Sequence, residues 1–263
     1  MKYVYSTEAR SGRKRGAAIG GEEGVTEGGE RQTSGLGVGP RGALRFASSL
    51  VFAAVLFVLV RTLFVEAYRI PTGSMENTLL VGDFLLVNKT VYGARIPGTD
   101  LQLRPLREPA LGDVVVFHPP HEPDRNYVKR VVGLPEDTLE MRDKRLFRNG
   151  YLVAEPWARH NDDRGDSVHP DMRWQSGYLI ASGRRRYQPT RDNWGPIVVP
   201  PDRYFVLGDN RDNSEDSRYW GFVERDEIRG RPWRVYYSFV PATESSLPLL
   251  LRIRWARIGE AIR

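Results

Sequence analysis

Ser74 lies in the short stretch IPTGSMENTLL and is the first residue in this chain whose type and setting suggest chemistry. A serine hydroxyl attacks a carbonyl carbon efficiently only when a positioned base removes its proton. Histidine is the usual base, but no Asp-His-Ser pattern connects Ser74 to a histidine in this sequence. The four histidines all lie in proline- or aspartate-rich stretches typical of loops: His118, His121, His160 and His169. Taken alone, Ser74 is also consistent with a turn or a helix N-cap.

Lys129, in NYVKRVVGLPED, is the lysine best placed to act as the base. Only about one ordinary lysine in a thousand is neutral at pH 7, so a catalytic lysine needs a pKa lowered by desolvation. Strand alternation puts Tyr127, Lys129 and Val131 on one face. If that face points inward, Lys129 is buried. The alternative is an exposed strand lysine, because lysine is seldom buried without a partner.

The segment VLGDNRDNSEDSRYWGFV, residues 206–223, carries far more polar side chains than a connecting loop requires. One interpretation is a structural loop that an Asp216–Arg218 ion pair braces. Its carboxylates also leave a metal site open, although Arg211 replaces a neutral spacer of a calcium loop and the EF-hand register is absent. The acidic residues concerned are Asp209, Asp212, Glu215 and Asp216.

An apolar run from Ala43 to Val65 precedes these segments. At ~1.5 Å per residue it reaches across about 30 Å of hydrocarbon, so we predict a transmembrane helix over 43–65. A cleavable signal peptide and a buried globular helix are the alternatives. Basic residues before the run favour a cytoplasmic N-terminus, which places the rest of the chain outside. Residues 1–42, rich in Gly, Glu and Arg, are predicted to form a disordered tail.

Beyond the apolar run, the chain consists of short segments rich in Val, Leu, Phe and Tyr, separated by Gly, Pro and Asp. This pattern predicts strands and hairpins, with an Asn-Gly turn in FRNGY. We therefore expect a mainly β fold, with an antiparallel catalytic domain over 66–240 and a smaller β or irregular subdomain inserted at about 140–200. The last segment, 241–263, has apolar residues at helical spacing among arginines and predicts an amphipathic helix on a bilayer surface or packed on the protein.

The overall composition excludes several classes of site. Lys and Arg total 39 against 33 Asp and Glu, which gives a formal charge of +6. This modest bias is spread among acids, so we expect no nucleic-acid partner, whereas an anionic bilayer surface would suit it. Cysteine is absent, which excludes disulfides, cysteine nucleophiles and thiolate metal sites. We expect no cofactor and no metal.

Four stretches together resemble the motifs of the bacterial type I signal peptidases: IPTGSMENTLLVGDFLLVNK, GDVVVFHPP, YVKRVVGLPED and GDNRDNSEDSRYWGFV. They occur in the family's order, and the resemblance covers most of residues 60–237. It implies a Ser-Lys serine endopeptidase in which Ser74 attacks the peptide carbonyl and Lys129 serves as general base. The Ser74 backbone N–H and the Thr72 hydroxyl would hold the oxyanion. Thr72 stands where many members have serine.

The resemblance also implies supporting roles for the residues of the last motif. Ser214 would hydrogen-bond and orient the Lys129 amine. Asp216 and Arg218 would form a bracing ion pair, and Asp209 would support the same loop. A second departure from the family is Asn77, which stands where proline is common.

The implied reaction removes signal peptides from exported preproteins after a small-x-small sequence. Four positions match residues that would line two shallow apolar pockets and exclude large side chains: Ile70, Leu79, Tyr127 and Val128. The protein would be single-pass in the plasma (inner) membrane, with its catalytic domain on the extracytoplasmic face. A dedicated pilus- or conjugation-type maturation peptidase of the same clan is the alternative. A non-enzymatic peptide-binding module and a metal-dependent hydrolase also remain as rivals.

Overall fold

The structure is a computed structural model that describes residues 40–94, 99, 101, 103–162, 167–180, 187–242, 244 and 248–263. The predicted disordered tail, residues 1–42, lies almost entirely outside the described residues. The chain divides into two compact units, residues 1–47 and 48–263.

Helix α1 extends from Pro40 to Leu63, close to the predicted span 43–65. Its residues from Leu44 to Val58 are exposed, including large apolar side chains. Within the described part of the chain, no helix combines the length and the apolar character needed to cross a membrane.

Strands account for most of the regular structure after α1, so the prediction of a mainly β fold is confirmed. The described residues also include a second, short helix, α2 (Ser217–Trp220). The strands are β1 (Val65–Arg69), β2 (Asp83–Asn88), β3 (Val114–Phe117), β4 (Tyr127–Gly133), β5 (Thr138–Arg142), β6 (Arg145–Arg148), β7 (Tyr151–Leu152), β8 (Trp194–Val198), β9 (Arg203–Leu207), β10 (Val223–Glu224) and β11 (Ile228–Ser238).

Seven strands form one sheet in the order β1-β2-β11-β3-β4-β9-β10, and each pair of neighbours is antiparallel. The long strand β11 joins its two halves, since it pairs with β3 at its start and with β2 over the rest. Its pairing with β2 contains two register shifts, and its pairing with β3 contains one. A Cβ atom at Gly230 would come within 2.7 Å of the Asn88 carbonyl, so glycine permits this close approach.

The remaining strands form a second antiparallel sheet in the order β7-β6-β5-β8. It lies between Thr138 and Val198, where the sequence predicted an inserted subdomain. Asn149 and Gly150 connect β6 to β7 with φ angles of 52° and 83°. Both angles are positive, as a two-residue hairpin turn of this kind requires, so the predicted Asn-Gly turn is confirmed.

The C-terminal segment differs from the predicted amphipathic helix, because its described residues form two short 3-10 helices and pack on the protein body. Arg257 pairs with Asp83 at 2.6 Å, and Asp83 is completely buried. Ile262 belongs to the apolar core around β2. A buried carboxylate needs a cationic or hydrogen-bonding partner, and this need outweighs the local helical periodicity.

Candidate active site

Ser74 lies in a one-turn 3-10 helix, Gly73–Met75, in the connection between β1 and β2. Met75 and Leu79 anchor this connection, because both side chains are buried in the apolar core. Ile70 forms backbone hydrogen bonds with the loop before β2 on the other side. Two fixed ends therefore hold a short turn, and Ser74 at its centre stays partly exposed.

Lys129 lies on β4 and reaches Ser74 across the sheet surface. The Lys129 Nζ atom is 2.6 Å from the Ser74 Oγ atom, within hydrogen-bond distance. The side chain is buried, with 4% of its surface exposed, so of the two alternatives the inward-facing one is correct. Burial lowers the pKa of the Lys129 ammonium from 10.5 to about 8, with smaller and opposing effects from Asp216 and Arg218. The lysine next to the serine is therefore much closer to deprotonation at neutral pH than an exposed lysine.

The position of Lys129 follows from the place of β4 within the sheet. β4 lies between β3 and β9, and Lys129 is opposite Val115, which is completely buried. On the same face as Lys129, the Tyr127 ring centre is 5.8 Å from Nζ. Arg130 is adjacent in sequence and points to the other face, as strand alternation requires. An apolar strand environment thus supplies the desolvation.

The loop after β9 brings a buried ion pair close to the lysine. Arg218 binds both carboxylate oxygens of Asp216 at 2.8 Å, and both side chains are almost fully buried. Burial raises the pKa of Asp216, but the charge and hydrogen bonds of Arg218 outweigh it and hold that pKa below its ordinary value. The predicted bracing ion pair is present, and its two charges offset each other beside Lys129.

Asp209, also predicted to support the loop, pairs with Arg130. The Arg130 guanidinium donates to both carboxylate oxygens of Asp209, at 2.8 and 2.7 Å. Thr78, four residues after Ser74, donates its hydroxyl to the same carboxylate at 2.5 Å. This pair therefore links the loop after β9, strand β4 and the segment that follows the nucleophile.

Ser214 is buried, but its hydroxyl has no hydrogen-bond partner in the described structure. The predicted bond from Ser214 to Lys129 is absent from the described structure, in which the lysine amine contacts Ser74. Ser214 packs closely over Gly208. A Cβ atom at Gly208 would come within 2.1 Å of the Ser214 hydroxyl oxygen and 2.5 Å of the Ser74 carbonyl oxygen. Glycine thus lets the loop approach the nucleophile turn.

The other predicted site residues divide into exposed and buried positions. Thr72 is exposed at the start of the turn, and its side chain forms no capping hydrogen bond. Tyr127 and Val128 are half-buried. Leu79 has no exposed surface and Ile70 has 5%. Leu79 is therefore a core residue behind the site, and the prediction that it lines an open pocket is not met.

Three of the four carboxylates that left a metal site open have cationic partners. Asp209 pairs with Arg130, Asp216 with Arg218, and Asp212 with Lys144 at 3.4 Å. Two backbone amides, from Asn161 and Asp162, also donate to Asp212 at 2.7 Å. Burial raises the pKa of Asp212, but these amides and the neighbouring cations outweigh that effect and lower it. The acidic residues of this loop therefore act in its internal packing.

Sequence reasoning overlooked Asn210 and the segment around Arg159. Asn210 is buried and forms hydrogen bonds with the main chain of the nucleophile turn. Arg159 pairs with the loop after β9 through its backbone. The density of polar residues in GDNRDN was noted, but nothing in the sequence shows which of them faces Ser74.

A family profile described as "Signal peptidase, peptidase S26" matches residues 43–237. The chain belongs to this family. It is 42% identical over 218 residues to a signal peptidase I from Pseudomonas aeruginosa, which covers 77% of this chain and 76% of the relative. A signal peptidase I from Aquifex aeolicus is 33% identical over 259 residues, covering 81% of this chain and 95% of that protein.

The crystal structure of a signal peptidase I from Enterococcus faecalis is 29% identical to this chain. The match covers 48% of this chain and 97% of the other, with a TM-score of 0.33. Membership of the signal peptidase family makes this chain an enzyme, a peptidase that removes signal peptides.

The contact between Gly208 and the nucleophile turn gives a first prediction. Gly208→Ala should lower kcat/KM by roughly 10²-fold or more, because the added methyl group must displace the Ser74 carbonyl. Gly177→Ala is the matched control, since a Cβ atom there meets no atom within 4 Å. Peptide cleavage by the two purified variants measures the difference. Equal activities would contradict this account of Gly208.

Proposed function

We propose that this peptidase works through a Ser74–Lys129 dyad. The observation that supports this most directly is the 2.6 Å separation of Lys129 Nζ and Ser74 Oγ. A base must lie within hydrogen-bond reach of the proton it removes and must be neutral when it does so. The 2.6 Å separation meets the first condition. The burial of Lys129, which lowers its pKa to about 8, favours the neutral form that the second condition requires.

The reaction then follows two stages. Neutral Lys129 takes the Ser74 hydroxyl proton as Oγ bonds to the scissile carbonyl carbon, which gives a tetrahedral oxyanion. The Ser74 backbone N–H and the Thr72 hydroxyl donate to that oxyanion. The Lys129 ammonium returns its proton to the departing amine as the C–N bond breaks. Lys129 next deprotonates a water molecule, whose oxygen attacks the acyl-enzyme ester. The ester C–O bond then breaks, the Lys129 ammonium returns the proton to Ser74 Oγ, and the signal peptide leaves.

The substrates we propose are exported preproteins whose signal peptides end in small-x-small sequences. Tyr127 is half-buried with its ring centre 5.8 Å from Lys129 Nζ. Val128, also half-buried, packs on the core that includes Met75, the residue next to Ser74, so we place a bulky ring and a branched side chain at the borders of the cleaved bond. Such walls admit alanine and exclude larger side chains by steric clash. Ile70 and Leu79 belong to the buried core on which Val128 packs.

A cleavage assay on a precursor that ends in Ala-x-Ala tests the dyad and the substrate class together. Ser74→Ala and Lys129→Met should each lower kcat by roughly 10⁴-fold or more, because each removes a member of one catalytic unit. Lys144→Met is the control, since Lys144 binds Asp212 outside the dyad. Mass spectrometry of the products locates the cleaved bond.

Activity of Lys129→Met at the wild-type rate would show that Lys129 is not the base. Cleavage of a single native precursor, with no cleavage of Ala-x-Ala substrates, would favour a dedicated pilus- or conjugation-type peptidase. Inhibition by a chelator would favour the metal-dependent rival, and normal function of Ser74→Ala in cells would favour a binding module.

The pKa of Lys129 predicts the pH dependence of the enzyme. With a pKa of about 8, the fraction of Lys129 in the reactive neutral form falls about tenfold for each pH unit below 8. Above pH 9 nearly all of the lysine is neutral. We therefore expect kcat/KM to rise through pH 7 and level off above pH 8. A rate profile from pH 5 to 10 measures this limb. A limb near pH 6.5 would point to a histidine base instead.

We also propose that α1 anchors the chain in the plasma (inner) membrane, with the catalytic domain on the extracytoplasmic face. The large apolar side chains exposed between Leu44 and Val58 support this location, since a helix that is apolar all round needs an apolar environment. The full-length protein should stay in the membrane pellet after alkaline carbonate extraction. Release into the supernatant would contradict an integral anchor.

A further inference from the structure

The turn that carries Ser74 is held from one side by a residue with no role assigned so far, Asn210. Its side chain is 2% exposed. The Asn210 amide nitrogen Nδ2 donates to the Gly73 carbonyl at 3.1 Å and lies 3.3 Å from the Glu76 carboxylate. The Asn210 backbone N–H donates to the Ser74 carbonyl, also at 3.1 Å. Asn210 thus contacts Gly73, Ser74 and Glu76.

The other end of the Asn210 side chain is fixed by the segment between β7 and β8. Its oxygen, Oδ1, accepts a hydrogen bond from the Asn161 side chain at 3.1 Å. Arg159 pairs with the backbone on both sides of Asn210: its N–H donates to Asp209 at 2.7 Å, and its carbonyl accepts from Arg211 at 2.9 Å. The Asn210 amide is therefore oriented, with its donor end facing Gly73 and its acceptor end facing Asn161.

These contacts involve the main chain of the turn, whereas the Ser74 hydroxyl contacts Lys129. The Ser74 hydroxyl must stay close to the lysine amine, and a one-turn 3-10 helix has little internal hydrogen bonding of its own to keep it there. Buried hydrogen bonds to the carbonyls on both sides restrict rotation of the turn. A displacement of about 1 Å at a reacting atom lowers an enzyme's rate by roughly 10²-fold.

We propose that Asn210 is a positioning residue for the nucleophile: its side-chain amide holds the Gly73–Ser74 main chain in the orientation that directs Ser74 Oγ at Lys129 Nζ. The segment around Asn161 supports this amide from outside. The inference rests on the proposed Ser74–Lys129 dyad.

Asn210→Ala and Asn210→Asp test the side chain while leaving its backbone bond to Ser74 in place. Asn210→Ala removes the donor to Gly73. Asn210→Asp keeps the size but turns a carboxylate toward the Gly73 carbonyl and the Glu76 carboxylate. Both variants should keep the wild-type KM and lose roughly 10- to 100-fold in kcat, with Asn210→Asp at least as impaired. Asn193→Ala, which alters a surface asparagine that accepts from Asp143, should keep the wild-type kcat.

The pH profile separates positioning from general loosening of the domain. Positioning leaves Lys129 buried, so the acidic limb of kcat/KM in Asn210→Ala, which adds no charge, should stay near pH 8. Loosening would let water reach Lys129 and move the limb toward pH 10.5, the ordinary value. A displaced limb, an unchanged kcat, or a loss confined to KM would each overturn the inference.

Wild type and Ser74→Ala, measured in the same assay, keep the two levels of the proposal distinct. If Ser74→Ala cleaves as fast as wild type, the proposed dyad fails. If Ser74→Ala is inactive and folded Asn210→Ala is fully active, the dyad stands and the role of Asn210 fails. Thermal unfolding of each variant establishes that it is folded.

Discussion

The proposed Ser74–Lys129 dyad depends on the removal of one lysine amine from water. Lys129 would carry a positive charge in solvent, and a charge inside a protein costs several kcal/mol unless it is neutralised or paired. Here the pKa falls instead, from 10.5 to about 8. The fold meets this requirement by placing Lys129 on a central strand between β3 and β9. Its amine points at a serine hydroxyl, a neutral partner that does not restore the charge.

The charges around Lys129 must be balanced for this to work. A single unpaired carboxylate close to Nζ would stabilise the ammonium and raise its pKa again. Asp209 and Asp216 are both close enough to act on Lys129 in this direction, and each is paired through two oxygens with a buried arginine. Arg–carboxylate pairs of this geometry are rigid as well as nearly neutral in sum. The polar loop after β9 therefore supplies fixed structure at little electrostatic cost to the base.

The sequence predicted the parts of the site that depend on short-range pattern. Strand alternation put Lys129 on one face with Tyr127 and Val131 but left its burial open, and the Asn-Gly pair predicted the turn between β6 and β7. The motif resemblance predicted the Asp216–Arg218 pair. The predictions that failed concern contacts between residues far apart in the sequence. The helical periodicity of residues 241–263 carries no information about the ion pair that Arg257 forms with the buried Asp83. Leu79 looked like a pocket residue because its depth in the core depends on β2 and β11 together. Asn210 was indistinguishable from its polar neighbours.

The contacts that hold the nucleophile segment come from widely separated parts of the chain. Asn210 binds Gly73, Trp157 accepts a hydrogen bond from Asn77, and Arg257 donates to the Thr78 carbonyl. Asn77 adopts a φ of 104°, a conformation that proline cannot reach because its ring fixes φ near −65°. Asparagine at this position therefore permits a turn that proline could not adopt, and its side chain donates to the inserted segment. Two of the four motifs thus contain the proposed reacting residues, Ser74 and Lys129, whereas their alignment also depends on Asn210 in a third motif and on Trp157 and Arg257, which lie outside all four.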